Sequence, residues 1–532
     1  MKTVAVRLAT PDGMRGLVAA AEEDGLTLAA LLARRGMPLN TRCGGRGRCA
    51  GCLVSIGGGP SGAVRRVKAC QLLVREVAGA EVTVPARSWL RHEPAVVSEF
   101  RVGIPWAHDP LAANARYGAA VDVGTTTVAL ALCDLSDGRV MAAASGFNAQ
   151  IRYGEDVLTR IQFCATGPAA VAELQRAIAV ETLQPLLIKA AAAAGVPLRE
   201  VAVMTVAANT TMQHLLAGVD PTPLGTHPFR AVFLDYRTYA PAALGLDFGA
   251  ADAAVHLLPG PAAYVGADLA AGIVATGMLY DDGPTLLVDV GTNGEIVAKV
   301  GERLIGCATA AGPAFEGAGL TSGVRGVVGA IERVRLRAAP FSVECDVIGG
   351  GPRPLGLCGS AYVDFLGEAR RAGFIGTSGR FTAALRAAAG DALVADAYGW
   401  KLRLHAHGAA GPIWISEVDI ARLLQAKAAI AAGITTLLGL LETTPAQVQR
   451  VHLAGGFGLH LSLAHAIGCG LLPGFTEAQV AVVGNTSLGG AFLALNDRSL
   501  LAEMQTACGR MESIELNLQP GFEDAYIDHL SL

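Results

Sequence analysis

Asp289 ends the apolar run Leu287-Val288 and leads into Val290-Gly291-Thr292-Asn293-Gly294-Glu295. Asp122 stands in the same relation to Ala120-Val121 and to Val123-Gly124-Thr125-Thr126-Thr127. A carboxylate closing a buried strand, beside Gly with Thr or Asn, suits phosphate chemistry. Backbone N–H groups and hydroxyls of Gly124, Thr125, Thr126, Gly291, Thr292 and Asn293 can hold phosphate oxygens while the aspartate meets Mg²⁺ or its waters. One Asp-x-Gly-Thr often only closes a hairpin. Two copies, each on an apolar strand, point to two related lobes facing one nucleotide.

A second set of chemical groups lies upstream. Cys43, Cys49, Cys52 and Cys70 are spaced C-x5-C-x2-C-x17-C, the first three inside the glycine-rich run Arg42 to Cys52. Thiolates that share two irons must converge, and glycines let a loop wrap the cluster and turn N–H groups toward its sulfurs. Zinc also takes four cysteines, but structural zinc sites usually use two paired knuckles, whereas here three cysteines crowd one loop. Disulfides are disfavoured in a cytoplasmic protein, and four buried free thiols rarely fall so close together. A [2Fe-2S] cluster is the expectation, with zinc as its rival. Cys133, Cys164, Cys307, Cys345, Cys358, Cys469 and Cys508 lack ligand spacing and are expected as buried thiols.

These groups need elements to position them. Thr3 to Leu8 alternates as a strand, a second strand runs to Ala20, and Leu26 to Arg35 reads as a helix stopped by Gly36. Residues 87–117 hold Trp89, Pro94, Pro105, Trp106 and Pro110 without periodicity and read as a linker that lets the cysteine-bearing domain swing. From Ala119 the pattern is α/β. Val201 to Ala207 is a buried strand, and Val265-Gly266-Ala267-Asp268 opens a helix of small residues. Val451 to Ala454 breaks into Gly455-Gly456, where a backbone without side chains can approach adenosine. Gly484-Asn485-Thr486-Ser487 starts a second small-residue helix, and Ser416 caps a long helix with Asp419. His214 reads as a packing residue sooner than a ligand, and Lys427 as a solvated lysine sooner than one reaching nucleotide.

Composition excludes several classes. The 532 residues are 52% hydrophobic, and mean hydropathy is +0.42, values raised by alanine and by 66 glycines. The longest uncharged stretch, Val451 to Thr476, is broken by glycine and proline and makes a poor membrane span. No membrane partner is expected. The amino terminus leads straight into a strand, and a cytoplasmic location is expected. Net charge is −4, divided as +6 over residues 1–86 and −10 over the rest. Positive charge confined to one small segment argues against nucleic acid as partner. Around the cysteines, Arg42, Arg46, Arg48, Arg65, Arg66 and Lys68 form a solvated rim or a docking face for an acidic surface.

The cysteine segment resembles a [2Fe-2S] ferredoxin of β-grasp fold over residues 1–86. Residues 118–532 resemble the acetate and sugar kinase/Hsp70/actin (ASKHA) superfamily: phosphate loop, small-residue helix, phosphate loop, Gly-Gly adenosine loop and second small-residue helix, in that order. The expected architecture is therefore α+β and α/β. A β-grasp ferredoxin domain and a linker precede a two-lobed actin-like ATPase, with lobe I at about 118–284 and lobe II at about 285–532. The whole chain resembles the reductive activators of corrinoid proteins, the RACo and RamA-like family, in which Ala311-Gly312-Pro313-Ala314-Phe315-Glu316-Gly317 and Gly356-Leu357-Cys358-Gly359-Ser360-Ala361 also fit.

The resemblance implies ATP-dependent transfer of one electron from the cluster to an inactive Co(II) corrinoid of a methyltransferase system, restoring Co(I). A plant-type cluster near roughly −400 mV reduces little Co(I)-forming cobalt unaided, since each 59 mV of mismatch costs about tenfold. Asp122 and Asp289 would orient Mg²⁺-bound water, Gly455 and Gly456 would hold adenosine, and Cys43, Cys49, Cys52 and Cys70 would ligate the cluster. Cofactors are [2Fe-2S], ATP and Mg²⁺. Partners are a corrinoid protein or methyltransferase and an upstream electron donor, with homodimerisation through the ATPase domain left open. The loop Ala310 to Gly319, or Ser322 and Arg325, is expected to approach the corrinoid. The alternatives are an ATP-binding redox sensor, or a small-molecule kinase with an accessory ferredoxin.

Overall fold

A computed structural model describes residues 4–10, 13–37, 39, 45, 47, 52–57, 64–85, 88, 100–106, 108–455 and 461–532. Cys43, Cys49, Arg42, Arg46, Arg48, Gly456 and the stretch 89–99 lie outside the described residues.

The amino-terminal domain has five strands, β1 (Val4–Thr10), β2 (Gly13–Ala19), β3 (Leu53–Gly57), β4 (Arg65–Lys68) and β5 (Glu81–Thr83), in the order β2-β1-β5-β3-β4. Its helix, Leu28–Arg34, starts where the Thr27 hydroxyl accepts from Ala30 N–H at 3.2 Å. It stops before Gly36, whose φ of +70° suits glycine. Leu28 and Leu32 pack from the helix against Leu8, Val54 and Val82 on the sheet.

Lobe I is a six-stranded sheet of β6 (Tyr117–Val123), β7 (Thr127–Asp134), β8 (Arg139–Phe147), β9 (Val201–Ala208), β10 (Arg237–Tyr239) and β11 (Ala254–Leu257), ordered β10-β11-β9-β6-β7-β8. Its central strands β6, β7 and β9 are mostly apolar because both faces are covered. One face sends Val121, Leu130 and Val206 against the Pro168–Ala194 and Thr210–Leu216 helices. The other presents Ala120, Ala129, Ala131 and Ala207 to two connector helices, Ala267–Thr276 and Thr486–Asn496. Small residues on that face let the helices come close. A Cβ on Gly490 would lie 2.2 Å from the Ala271 carbonyl oxygen, so only glycine fits the crossing.

Lobe II begins with β12 (Thr285–Val290), β13 (Gly294–Val300) and β14 (Arg303–Thr309). It adds β15 (Ala330–Ala338), β16 (Phe341–Val347) and β17 (Gly356–Leu357), then β18 (Leu393–Asp396), β19 (Gly399–Gly408) and β20 (Gly411–Ser416), and closes with β21 (Arg450–Ala454), β22 (Val480–Gly484) and β23 (Glu512–Ser513). The main sheet runs β22-β21-β12-β13-β14-β23, and two three-stranded sheets, β16-β15-β17 and β18-β19-β20, stand beside it. Glu417–Leu440 is the core helix. Ser416 and Asp419 cap it reciprocally, and Leu423, Ile430, Ile434 and Leu437 are fully covered. The opposite face of the main sheet, with Leu287 and Val297, packs on Leu269 and Ile273 of the first connector helix. The connector helices thus lie between the two main sheets.

Two helices, Pro168–Ala194 and Glu417–Leu440, are long and apolar enough to cross a membrane. Each packs an apolar face on the lobes just described, the second more fully than the first.

The expected linker 87–117 needs correction at its carboxyl end. From Phe100 the chain is laid along the connector helices. Gly103 N–H donates to Ala275 O at 2.7 Å and Leu111 N–H to Leu495 O at 3.0 Å. Phe100 and Trp106 pack on Phe492 with ring centroids 5.1 and 5.5 Å away. Arg498 pairs with Asp109 at 2.6 Å. This strap has no period of its own because its partners are helix ends and one aromatic ring.

Candidate functional site

The two acidic turns of the sequence meet in one cleft between the lobes. β6 and β7 join in a hairpin tipped by Gly124 to Thr126, and β12 and β13 in one tipped by Gly291 to Asn293. In each, the glycine N–H donates back across the turn at 2.9 Å, Gly124 to Thr127 O and Gly291 to Asn293 O. A Cβ on Gly124 would lie 2.7 Å from Thr127 O, which reserves that position for glycine. The tips touch: Thr126 Oγ1 and Thr292 Oγ1 are 3.2 Å apart. Glu316 accepts from both hydroxyls, at 3.3 Å from Thr126 and 3.1 Å from Thr292.

Asp122, Gly124, Thr125, Thr126, Asp289, Gly291, Thr292, Asn293 and Gly455 all line this cleft. Asp122 accepts from Ser487 Oγ at 2.7 Å and Asn485 Nδ2 at 2.8 Å. The Asn485 side chain also caps the second connector helix by accepting from Leu488 N–H. Gly455 has φ +95°, and a Cβ there would come 2.6 Å from Val290 O and 2.8 Å from Asp289 Oδ1. The end of β21 is thereby pressed against the second hairpin. Asn209 caps the Thr210–Leu216 helix and donates to Thr125 Oγ1 at 3.0 Å, which fixes the first hairpin from behind.

Three further carboxylates come to the cleft that motif reading did not select: Asp268, Glu295 and Glu316. A signal existed for two of them. Glu295 pairs directly with Asp289 across the β12–β13 hairpin, as the tight turn requires, and Asp268 opens the first small-residue helix. The five carboxylates are half-buried by surface but ringed by protein, and this sets their acidity. Burial raises Asp122, opposed by the bonds from Ser487 and Asn485. Burial, reinforced by the charge of Asp122, pushes Asp268 up to about 7. Burial, with Asp268 and Asp122, also pushes Asp289 up to about 7. Glu295 is raised by burial and by Asp268 and Asp289. Burial raises Glu316, with Arg325 and the two threonines acting against it. Like charges so crowded call for a cation.

Arg160, also unselected, is fully covered behind the first hairpin. It donates to Thr125 O, to Gln150 Oε1 at 2.9 Å and to Gly154 O at 3.0 Å. Burial lowers it to about 9, still protonated at neutral pH, so a positive charge stands behind the Thr125 turn.

Other expectations fall out differently. Arg325 lines the cleft, its guanidinium 5.1 Å over the Phe147 ring of lobe I, while Ser322 Oγ accepts from Trp414 N–H at 2.9 Å. Arg325 therefore opens on the cleft, whereas Ser322 is turned to β20 of lobe II. His214 is a packing residue. It donates from Nδ1 to Thr210 O at 2.7 Å, accepts at Nε2 from Val232 N–H at 3.0 Å and stacks on Phe233. Lys427 neither reaches the cleft nor meets solvent; it is buried and donates to Ser531 O at 2.6 Å. Cys345 and Cys508 are half-buried, and the other five thiols outside the cysteine loop are buried.

In the amino-terminal domain Cys52 and Cys70 belong to one buried cluster, with Ala69 N–H donating to Cys52 O at 3.0 Å. Gly45 and Gly47 are tied to the same corner. Gln71 Nε2 donates to Gly45 O and Lys68 Nζ to Gly47 O.

Comparison with known proteins agrees in both halves of the body. Residues 117–281 match the family described as the RACo middle region, and residues 283–532 match the C-terminal domain of RACo, the ASKHA domain. The corrinoid activation enzyme RamQ of Eubacterium limosum is 29% identical, over 92% of this chain and 94% of its own. The [Co(II) methylated amine-specific corrinoid protein] reductase of Methanosarcina barkeri is 25% identical over 78% and 77%. A solved structure titled reductive activator for corrinoid, iron-sulfur protein superposes with TM-score 0.72 at 28% identity, covering 99% of this chain and 98% of that one.

Proposed function

The chain belongs to the RACo-like family, and from that premise we propose that it reductively activates a corrinoid protein, using ATP bound between its lobes. The observation that carries the reading is the meeting of Thr126 with Thr292. Two hairpins of phosphate-binding composition converge in a chain that aligns almost end to end with relatives named for corrinoid activation.

In this reading the hydroxyls and N–H groups of Gly124 to Thr126 and Gly291 to Asn293 orient the polyphosphate, and the charge of Arg160 behind Thr125 favours it. Asp122, Asp268, Asp289 and Glu295 would hold Mg²⁺, which would neutralise phosphate charge there, and Ser487 and Asn485 fix the Asp122 carboxylate. Gly455, with Gly456 beside it in sequence, gives adenosine a surface free of side chains. Because the connector helices lie between the two sheets, closing the lobes on nucleotide shifts one helix against the other. A state preference tied to nucleotide can then be passed to a partner.

The amino-terminal sheet order, with a helix crossing after the first hairpin, supports the β-grasp ferredoxin reading. Cys52 and Cys70 in one buried corner, with Gly45 and Gly47 drawn to it, fit a [2Fe-2S] cluster completed by Cys43 and Cys49. When bound, that cluster supplies a one-electron carrier. The chain's part is to bury the thiols and to keep water from that corner.

The deciding experiment is an anaerobic visible spectrum of a Co(II) corrinoid protein mixed with the reduced protein, with and without Mg-ATP. A Co(I) band that requires ATP and is lost in Cys52→Ala is the expected result. No cobalt reduction across several corrinoid proteins, despite ATP binding and an intact cluster spectrum, overturns the reading.

A further inference from the structure

Of the five carboxylates in the cleft, one stands apart. The charge of Asp122 raises Asp268 and Asp289, and those two raise Glu295, whereas Glu316, raised by burial, is opposed by Arg325 and by two hydroxyls. Those hydroxyls, Thr126 Oγ1 and Thr292 Oγ1, come from the tips of the two phosphate hairpins and both donate to Glu316. A carboxylate and a phosphate present the same thing to a hydroxyl, an anionic oxygen that accepts. The hydroxyl oxygens are 3.2 Å apart, so no phosphate fits between them while this contact stands.

We propose that Glu316 occupies the place of a nucleotide's terminal phosphate and makes the cleft discriminate a nucleoside triphosphate from a diphosphate. This inference rests on reading the cleft as the nucleotide site. A diphosphate ends short of the Thr126–Thr292 contact and leaves Glu316 where it is. A triphosphate claims the same two hydroxyls, and two anions cannot share them, so Glu316 must leave. The backbone around it is made for a short excursion. Glu316 ends the turn Pro313–Glu316, between Gly312 and Gly317, which have φ of +71° and +75°. A Cβ on Gly312 would meet nothing within 4 Å, whereas one on Gly317 would meet Val324 O at 2.3 Å. Space is open beside Gly312, Ala314 and Phe315 anchor the turn in the lobe II core, and Gly317 is locked to the segment carrying Arg325. Displacing Glu316 pulls on Val324 and Arg325, and with them on the guanidinium stacked over Phe147 of the other lobe. The terminal phosphate is thereby read as a change in how lobe II grips lobe I.

The test compares affinities of Mg-ADP and of Mg-β,γ-imido-ATP, by calorimetry, for the full-length protein and Glu316→Gln. The variant keeps the side chain's shape and its accepting oxygen but not the charge. It should bind the triphosphate about tenfold more tightly, the scale of one charge-assisted hydrogen bond, with ADP affinity within about twofold of wild type. An unchanged ratio, or a selective loss of triphosphate affinity, overturns the inference. Wild-type protein that binds neither nucleotide refutes the nucleotide site itself, a different failure. Hydrogen exchange on the wild-type chain decides the matter even if the variant does not fold. The amides of residues 314–319 should exchange faster with the imido-triphosphate than with ADP, and equal rates overturn the inference.

Discussion

Ser487 donates a 2.7 Å hydrogen bond to Asp122, from a helix 365 residues further along the chain. The bond ties the β6–β7 hairpin to the second connector helix and stabilises the ionised carboxylate against the burial that raises its pKa. Ser487→Ala removes that support, so the Asp122 carboxyl rises further. In the proposed mechanism the ionised form serves nucleotide turnover, so the acid limb of the pH profile moves to higher pH and turnover falls most on that limb. Steady-state ATPase assays across pH check this. An unmoved acid limb would remove Asp122 from the mechanism.

Mg²⁺ should change how stability depends on pH. Asp268 and Asp289 are raised to about 7, so the folded chain retains protons that the unfolded chain has lost. Stability without Mg²⁺ therefore falls as pH climbs from the ordinary carboxylate range to about 7, then levels. Bound Mg²⁺ favours the ionised forms and lessens the fall. Melting curves between about pH 5 and 8, with Mg²⁺ and with EDTA, read this directly, and Asp289→Asn should flatten the metal-free curve.

His214 gives a slope of the opposite sign. Burial lowers its pKa, aided by the charge of Arg237 and opposed by the bond to Thr210. A proton on Nε2 would turn an acceptor into a donor facing Val232 N–H. The unfolded chain then binds the proton more readily, so stability is present above about pH 6.5 and is lost as pH falls through that value. Urea unfolding at about pH 5.5 and 7.5 measures the slope, and His214→Gln should reduce it.

Gly490→Ala tests the helix crossing. The new methyl would meet the Ala271 backbone at 2.2 Å, where no side chain can turn aside. The connector helices must separate, at a cost of about 1–3 kcal/mol. We expect a lower melting temperature and weaker nucleotide binding together. A variant as stable as wild type would mean that the crossing is looser than described.

What the sequence made legible was local chemistry. The Asp122 and Asp289 hairpins, the Ser416–Asp419 cap and the glycine stop at Gly36 depend on neighbours a few residues away, and these stand as expected. Groups acting over long separations were not legible. Arg160, set among apolar residues on a short helix, reads as a surface arginine until Thr125 O and Gln150 are found beside it. Glu316 lies in the loop Ala310 to Gly319, expected from sequence to approach the corrinoid, yet its partners Thr126 and Thr292 come from both lobes. Lys427 failed in the same way, because its acceptor, Ser531, is supplied by the far end of the chain. Residues 100–116 lacked periodicity because they borrow their order from the connector helices.

That strap also sets a leash. Ser88 is held to the amino-terminal domain by its bond to Leu53 O, and Phe100 is held to the body by Phe492 and the bridge to Gly484. Only residues 89–99 lie between them, and fully stretched they span about 40 Å. The cysteine domain thus stays inside the volume that this reach sets around Phe100, whatever the protein's concentration in solution. Phe100 is moored beside the connector helices, so a shift of those helices would also move the centre of that volume. Lengthening the segment 89–99 with glycine and serine would enlarge the volume and dilute the domain within it without altering either anchorage.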